Sequence, residues 1–204
     1  SLEDIEEVQN FSKIQLGKTR YIENLGRYEL HLGIQERHIK DIISYTKDED
    51  DIALQKNTSD NKRFASRESI KKWYSDNGRR VFSLIGGEGE LLGITYFRPS
   101  LPPDIIKGED RGFIEKIKDA IHTSTAAIRL YPLARRKGLA APFLSASERV
   151  YRSEYHETII CVDIEEENIP SRKVFEHLGY QFIGYGENKK SIMNTLHKRC
   201  IYVK

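Results

Sequence analysis

The stretch from Thr125 to Ile164 passes from β-forming residues to a helical pattern and back, and this alternation restricts the fold more than any other feature. Thr125 to Tyr131 reads as a strand, Gly138 to Tyr155 as a helix, and Thr158 to Ile164 as a second strand. A strand–helix–strand unit of this kind requires a parallel pair joined by a right-handed crossover. Its neighbours have a different character. Upstream, Val81 to Ile85 and Leu91 to Phe97 form a hairpin around Gly86, Gly87, Glu88, Gly89 and Glu90, with three glycines available for positive φ. Downstream, a helix at Ile169 to Leu178 precedes strands at Gln181 to Tyr185 and Ile192 to Val203. The expected class is α+β, a single domain over residues 1–204 with a mixed, mostly antiparallel sheet flanked by helices.

The remaining segments are arranged around that unit. Residues 1–34 read as an N-terminal extension, helical where Ile5, Val8, Phe11 and Ile14 recur. Gln35 to Tyr45 forms a second helix on Ile39, Ile42 and Ile43, and Ser66 to Tyr74 another on Ile70, Trp73 and Tyr74. Between them lie a short strand at Ile52 to Gln55 and a loop at Lys56 to Lys62. Residues 99–122 form an insertion. Lys and Arg number 33 against 31 Asp and Glu, without the basic excess of a nucleic-acid binder. No apolar run approaches the roughly 20 residues of a membrane span, and the chain is charged from Glu3, so the expected location is cytoplasmic. Cys161 and Cys200 are too few for a disulfide scaffold or a metal cluster, and no metal is expected.

The turn between the first strand and the long helix holds Arg135, Arg136, Lys137, Gly138, Leu139 and Ala140. A helix N-terminus presents unpaired N–H groups and partial positive charge, so three cations there oppose the dipole unless an anion joins them. Gly138 lets a ligand reach the backbone, Ala140 permits close approach, and Pro142 has no N–H to leave unpaired. A solvated basic turn explains the same residues without a ligand. The P-loop pattern is absent, and Gly87-x-Gly89 lies inside a hairpin, where it serves only as a turn.

Arg135-x-x-Gly138-x-Ala140 resembles the acyl-CoA signature of the GNAT acyltransferase superfamily, in which Gln or Arg leads two residues to Gly and then to Gly or Ala. About thirty residues on, Asn168-x-x-Ser171-x-x-x-Phe175-x-x-x-Gly179-Tyr180 resembles its second motif, and the match spans about Ala126 to Tyr185 within a core of 125–185. The resemblance implies acetyl-CoA as cosubstrate, with pyrophosphate on the Arg136 to Ala140 amides. It implies that the pantetheine arm pairs with the backbone near Ile128 and Leu130, and that Asn168, Ser171 and Phe175 line the arm's other side. Arg136 stands where this turn usually has glycine, which suits it if its φ is negative. Asn168 also reads as a helix cap with Pro170 in the first turn, Gly179 as a helix C-terminus, and Phe175 with Leu178 as core.

The implied reaction moves acetyl to a primary amine by direct attack, with no covalent enzyme intermediate, so neither cysteine is needed. Asp163 interrupts an apolar strand at a position where some members of the family carry a glutamate base. It serves equally as a solvent-facing strand residue or as a partner of a nearby Arg. The usual acid, a tyrosine, is replaced by Phe175, leaving Tyr180, Tyr131 or water to protonate the thiolate. His156 and His177 read as helix-end residues. Two other functions fit the same residues: a CoA-binding domain that is regulatory or inactive, and a protein-interaction module without cofactor. An antibiotic, a polyamine, an amino acid or a protein amine all suit as acceptor. It is expected to contact Ser66 to Tyr74 and the 99–122 insertion, and a homodimer through the N-terminal helix or last strand is compatible with the pattern.

Overall fold

The computed structural model describes residues 14–76, 78–190 and 196–204. In chain order the elements are β1 (Thr19–Leu25), β2 (Tyr28–Gly33), α1 (Glu36–Thr46), α2 (Ile52–Asn57), α3 (Asp60–Arg63), α4 (Arg67–Tyr74), β3 (Arg80–Ile85) and β4 (Leu91–Pro99). They continue with β5 (Ile105–Lys107), α5 (Arg111–Asp119), β6 (Thr123–Leu130), α6 (Ala140–Glu154), β7 (Ile159–Glu165), α7 (Ile169–His177), β8 (Gln181–Lys190) and β9 (Leu196–Val203). The strands form one nine-stranded sheet in the order β1-β2-β3-β4-β6-β7-β9-β8-β5. Among the described strands only β6 and β7 pair in parallel, as the alternation from Thr125 onward requires.

Strand alternation sorts the side chains onto two faces. On one, Phe97, Ala126, Ile160, Val162 and Ile164 pack with Phe143, Leu144 and Tyr151 of α6 and with Phe175 of α7. Thr95 reaches the same helix, donating to Ser147 Oγ at 2.7 Å. On the other face, Ile94 and Tyr96 pack with Ile39 and Ile42 of α1 and with Phe64, Ile70 and Trp73. Farther along that face, Cys161, Ile183, Ile201 and Val203 are covered by Ile114 and Ile117 of α5. The two faces leave β6 and β7 sandwiched at the centre of the molecule.

Several sequence expectations change. Ile52 to Gln55 is helical, not a strand: Asp51 Oδ1 accepts from the Leu54 N–H at 3.2 Å and caps the turn, Leu54 is buried, and Ile52 is left 68% exposed. Lys56 to Lys62 likewise holds the end of α2 and most of α3. The supposed N-terminal extension contributes β1 and β2 to the sheet. The helix expected over Ile5 to Ile14 lies outside the described residues, apart from Ile14. In the β3–β4 hairpin only Gly89, with φ +81°, uses positive φ. Residues 99–122 contain β5, paired with β8, and α5. Ser66 caps α4 as its position suggests, accepting from the Ser69 N–H at 3.1 Å.

Candidate functional site

The turn before α6 has an unusual backbone. Arg136 has φ +61° and is the one described non-glycine residue in the left-handed region; Gly138 follows at φ +68°. The condition under which arginine suits this place, a negative φ, is therefore not met. A left-handed L-residue costs roughly 1–2 kcal/mol, so the turn stores strain. Turns of this kind can gather successive N–H groups into a concavity that suits an anion. Helix α6 begins directly after it. Its N-cap residue Leu139 makes no side-chain capping bond. A side chain built on Gly138 would meet no atom of the described residues within 4 Å. Arg136, Lys137 and Gly138 are exposed, while Leu139 and Ala140 are half-buried.

Arg135 is differently engaged. Its two amino groups donate to Asp51 Oδ1 at 2.8 Å and Oδ2 at 2.6 Å, and its Nε donates to the Leu130 carbonyl at 3.0 Å. The charge conflict inferred for Arg135 is therefore met by Asp51, and the pair fastens the turn to the start of α2. Burial alone would raise the Asp51 carboxyl, but hydrogen bonds from Arg135 and the Leu54 N–H outweigh it and hold the group below the usual range.

Strands β6 and β7 pair only at Thr123–Ile159 and Ser124–Ile160. Beyond Ser124 the β7-facing edge of β6 has no strand partner among the described residues, whereas its β4 edge is paired through to Leu130. The two strands splay because β7 follows β9 instead, in register from Cys161 to Glu165. A cleft of about 460 Å³ opens here. Its walls are Thr125 to Arg129 of β6, Val162 to Glu165 of β7, Asn168, Ser171 and Phe175 at and within α7, and Lys56 to Ser59, Lys62 and Arg63 from the α2–α3 segment.

Solved structures with this arrangement were found. The ribosomal L7/L12 α-N-protein acetyltransferase RimL in complex with coenzyme A superposes with a TM-score of 0.67 at 15% identity, over 91% of this chain and 97% of that one. A ribosomal-protein-S5-alanine acetyltransferase from Vibrio fischeri gives 0.66 at 14% identity, over 91% and 96%. A dodecameric spermidine N-acetyltransferase from Vibrio cholerae gives 0.61 at 12% identity, over 87% and 93%. The chain has the GNAT acyltransferase fold. No protein-family model and no curated protein sequence matched it, so the GNAT likeness is one of three-dimensional arrangement.

Of the residues that the GNAT resemblance singled out, Ile128, Asp163, Asn168, Ser171 and Phe175 come together on the cleft wall. Leu130 and the turn from Arg135 to Ala140 lie outside it, where β6 ends and α6 begins. Asn168 caps α7, its Oδ1 accepting from the Ser171 N–H at 3.4 Å. Gly179 takes φ +87° just after the helix. Asp163 is paired: Arg199 Nη2 lies 3.0 Å from its Oδ1 and donates to its carbonyl at 2.9 Å.

Both tyrosines weighed as acids are buried. Tyr180 is 3% exposed and donates its O–H to Glu148 Oε1 at 2.6 Å. Burial, together with the Glu148 charge, pushes its phenol well above the usual value. Tyr131 is 1% exposed, stacked on Tyr45 with centroids 4.2 Å apart, and absent from the cleft wall. Burial also pushes the Cys161 thiol up to about 12, which suits a core residue and not a nucleophile.

The remaining wall residues carried no motif. Tyr96 of β4 accepts from Arg63 Nη1 at 2.9 Å and from Arg129 Nη2 at 3.2 Å, and both arginines pair with Asp60, which is 1% exposed. Arg79 and Arg98 complete that end of the cleft. Neither α4 nor residues 99–122, the elements expected to meet an acceptor, lines it. The one available signal was a basic residue, Arg98, ending the apolar run Leu91 to Phe97.

Proposed function

We propose that the protein is an acyl-CoA-dependent N-acyltransferase that moves acetyl from acetyl-CoA to a primary amine. The observation that carries this reading is the free edge of β6 opening into the cleft, one strand's length from the strained turn at Arg136 and Gly138. An extended, amide-bearing pantetheine arm would add to that edge as a peptide does to a sheet. The pyrophosphate would then fall on the turn, where the N–H groups of Arg136 to Ala140 and the charge of Lys137 meet it. Ile128 and Leu130 flank the arm. Their carbonyls already accept from Arg129 Nη1 and Arg135 Nε, which hold the strand in place. The acceptor amine would enter between α2–α3 and β7.

In the reaction the amine nitrogen forms a bond to the thioester carbon, the carbon–sulfur bond breaks, and the nitrogen's proton leaves to a base. Asp163 is the carboxylate on the cleft wall best placed to take that proton through water, with Arg199 holding it in position. The thiolate takes its proton from solvent, because Phe175 has none to give and the Tyr180 O–H is committed to Glu148. Phe175 also favours a second reading, a CoA-binding domain that does not turn over.

Calorimetric titration with acetyl-CoA, followed by thiol release over a panel of amines, tests both readings. No heat at high micromolar acetyl-CoA sinks them together; binding without thiol release from any amine leaves the second. Asp163→Asn is expected to lower turnover and to remove an ionisation from the pH–rate profile. An unchanged rate across pH would take the role of base away from Asp163.

A further inference from the structure

On the acyltransferase reading, the group that enters the cleft is an amine, and the charge of the walls restricts which amine. Among the described residues, seven lysine and arginine side chains line the cleft against two carboxylates, Asp163 and Glu165. Three of the seven are held in close ion pairs: Arg63 and Arg129 share Asp60, and Arg199 meets both Asp163 and Glu165. Lys56 and Lys62 are exposed at the rim.

Arg79 and Arg98 are the unusual pair. Tyr96 and Arg98 are two apart on β4 and share a face, with Arg98 opposite Thr125 on β6. Arg80 pairs with Phe97, so the next step of the register sets Arg79 beside Arg98. The Arg79 side chain is 7% exposed, lies over the Trp73 ring at 4.8 Å and donates to the Trp73 carbonyl. The carboxylate paired with it, Asp76, stands 3.8 Å away and is half exposed. The buried Arg79 Nε has no hydrogen-bond partner among the described residues. Burial, with Arg98 and Arg63 close by, pushes the guanidinium down to about 10. Among the described residues no carboxylate lies within ion-pair distance of Arg98. A buried guanidinium with an empty donor beside a second, acid-free guanidinium is costly unless an anion joins them.

We propose that this end of the cleft clamps a carboxylate carried by the substrate, so that the acceptor is an amine that is also a carboxylate and not a polycation. Arginine forks fit a carboxylate with two parallel hydrogen bonds. A polyamine would instead set its charges against Lys56, Lys62, Arg79 and Arg98, with both cleft acids already paired to Arg199. A carboxylate at this place has a second source, the acyl group of a dicarboxylic acyl-CoA.

The test measures binding by calorimetry, with and without CoA, and initial rates with acetyl-CoA. Matched pairs are used, 4-aminobutyrate against 4-aminobutanamide and alanine against alaninamide, with spermidine as the polycation. At least one acid is expected to bind about 10-fold tighter than its amide. Arg98→Gln should cut that preference to within about 3-fold and leave CoA affinity unchanged. Because Arg79 is buried, Arg79→Lys is the companion variant; it keeps the charge, removes the fork and should weaken the same preference. A succinyl-CoA arm locates the carboxylate: an equal preference for succinyl-CoA over acetyl-CoA, lost in Arg98→Gln, keeps the site and moves its ligand to the acyl group. Equal binding of acids and amides with no preference for succinyl-CoA overturns the proposal, as does tightest binding of spermidine. Lack of any CoA heat sinks the acyltransferase reading, while the CoA-free titrations still decide the carboxylate site.

Discussion

Replacing Asp51 by Asn tests whether Arg135 is a tether or a ligand for phosphate. Asp51 is 6% exposed, caps α2 and receives two hydrogen bonds from Arg135, whose side chain is 34% exposed. Breaking a fully buried pair costs roughly 3–5 kcal/mol. Here Arg135 keeps partial access to water, and Asn retains an acceptor for the Leu54 N–H, so the expected loss is about 2 kcal/mol. In a chain of 204 residues that corresponds to a Tm lower by roughly 4–8 °C.

The folded carboxyl lies below its ordinary value of 3.8. Its contribution is therefore fully present above that value and lost as pH falls through the lower, folded one. Thermal unfolding followed by circular dichroism should show the same gap between variant and parent at neutral pH and at about pH 5, closing only below the ordinary carboxylate range. Acetyl-CoA affinity should fall in the variant, because the turn loses its anchor. A Tm within about 1 °C of the parent would refute the energetic argument. Tighter acetyl-CoA binding would show instead that Asp51 had been withholding Arg135 from the phosphates.

Other expectations follow from particular contacts. Arg136→Gly removes a left-handed strain of about 1–2 kcal/mol and adds about 0.5–1 kcal/mol of chain entropy, so stability should rise slightly. Calorimetry should find acetyl-CoA affinity retained within a factor of about five, the worth of one exposed cation. Tyr180→Phe takes one donor from Glu148, which keeps Arg152 at 3.1 Å and Lys204 at 3.0 Å. Denaturant melts should show a loss of about 1–2 kcal/mol, and the pH–rate profile should not move; a shifted profile would restore Tyr180 as an acid. Cys161 and Cys200 are buried, and burial raises both thiols. Mass spectrometry should therefore find neither alkylated by iodoacetamide in the folded protein.

Local signals carried much of the fold. Ser66 capping α4, Asn168 capping α7 and Gly179 ending it involve residues within a few positions of one another, so spacing alone reveals them. The parallel β6–β7 pair and the basic turn were legible for the same reason. The strand expected at Ile52 to Gln55 rested on three apolar residues, Ile52, Ala53 and Leu54, against the cap at Asp51 that starts a helix.

Partnerships set by sheet order were not legible. Arg135 meets Asp51 from 84 residues away, and Arg199 meets Asp163 from 36. Arg79 lies beside Arg98 only because β3 and β4 pair in that register. A sequence taken by itself determines which segments alternate, cap and turn, since those depend on near neighbours. It determined here that a strand leads through a basic turn into a helix. Which cations stay unneutralised, which acid is held by an arginine, and which side chains line the cleft are long-range matters. They were decided only when nine strands took their order and register, bringing charges distant in the chain within a few ångströms.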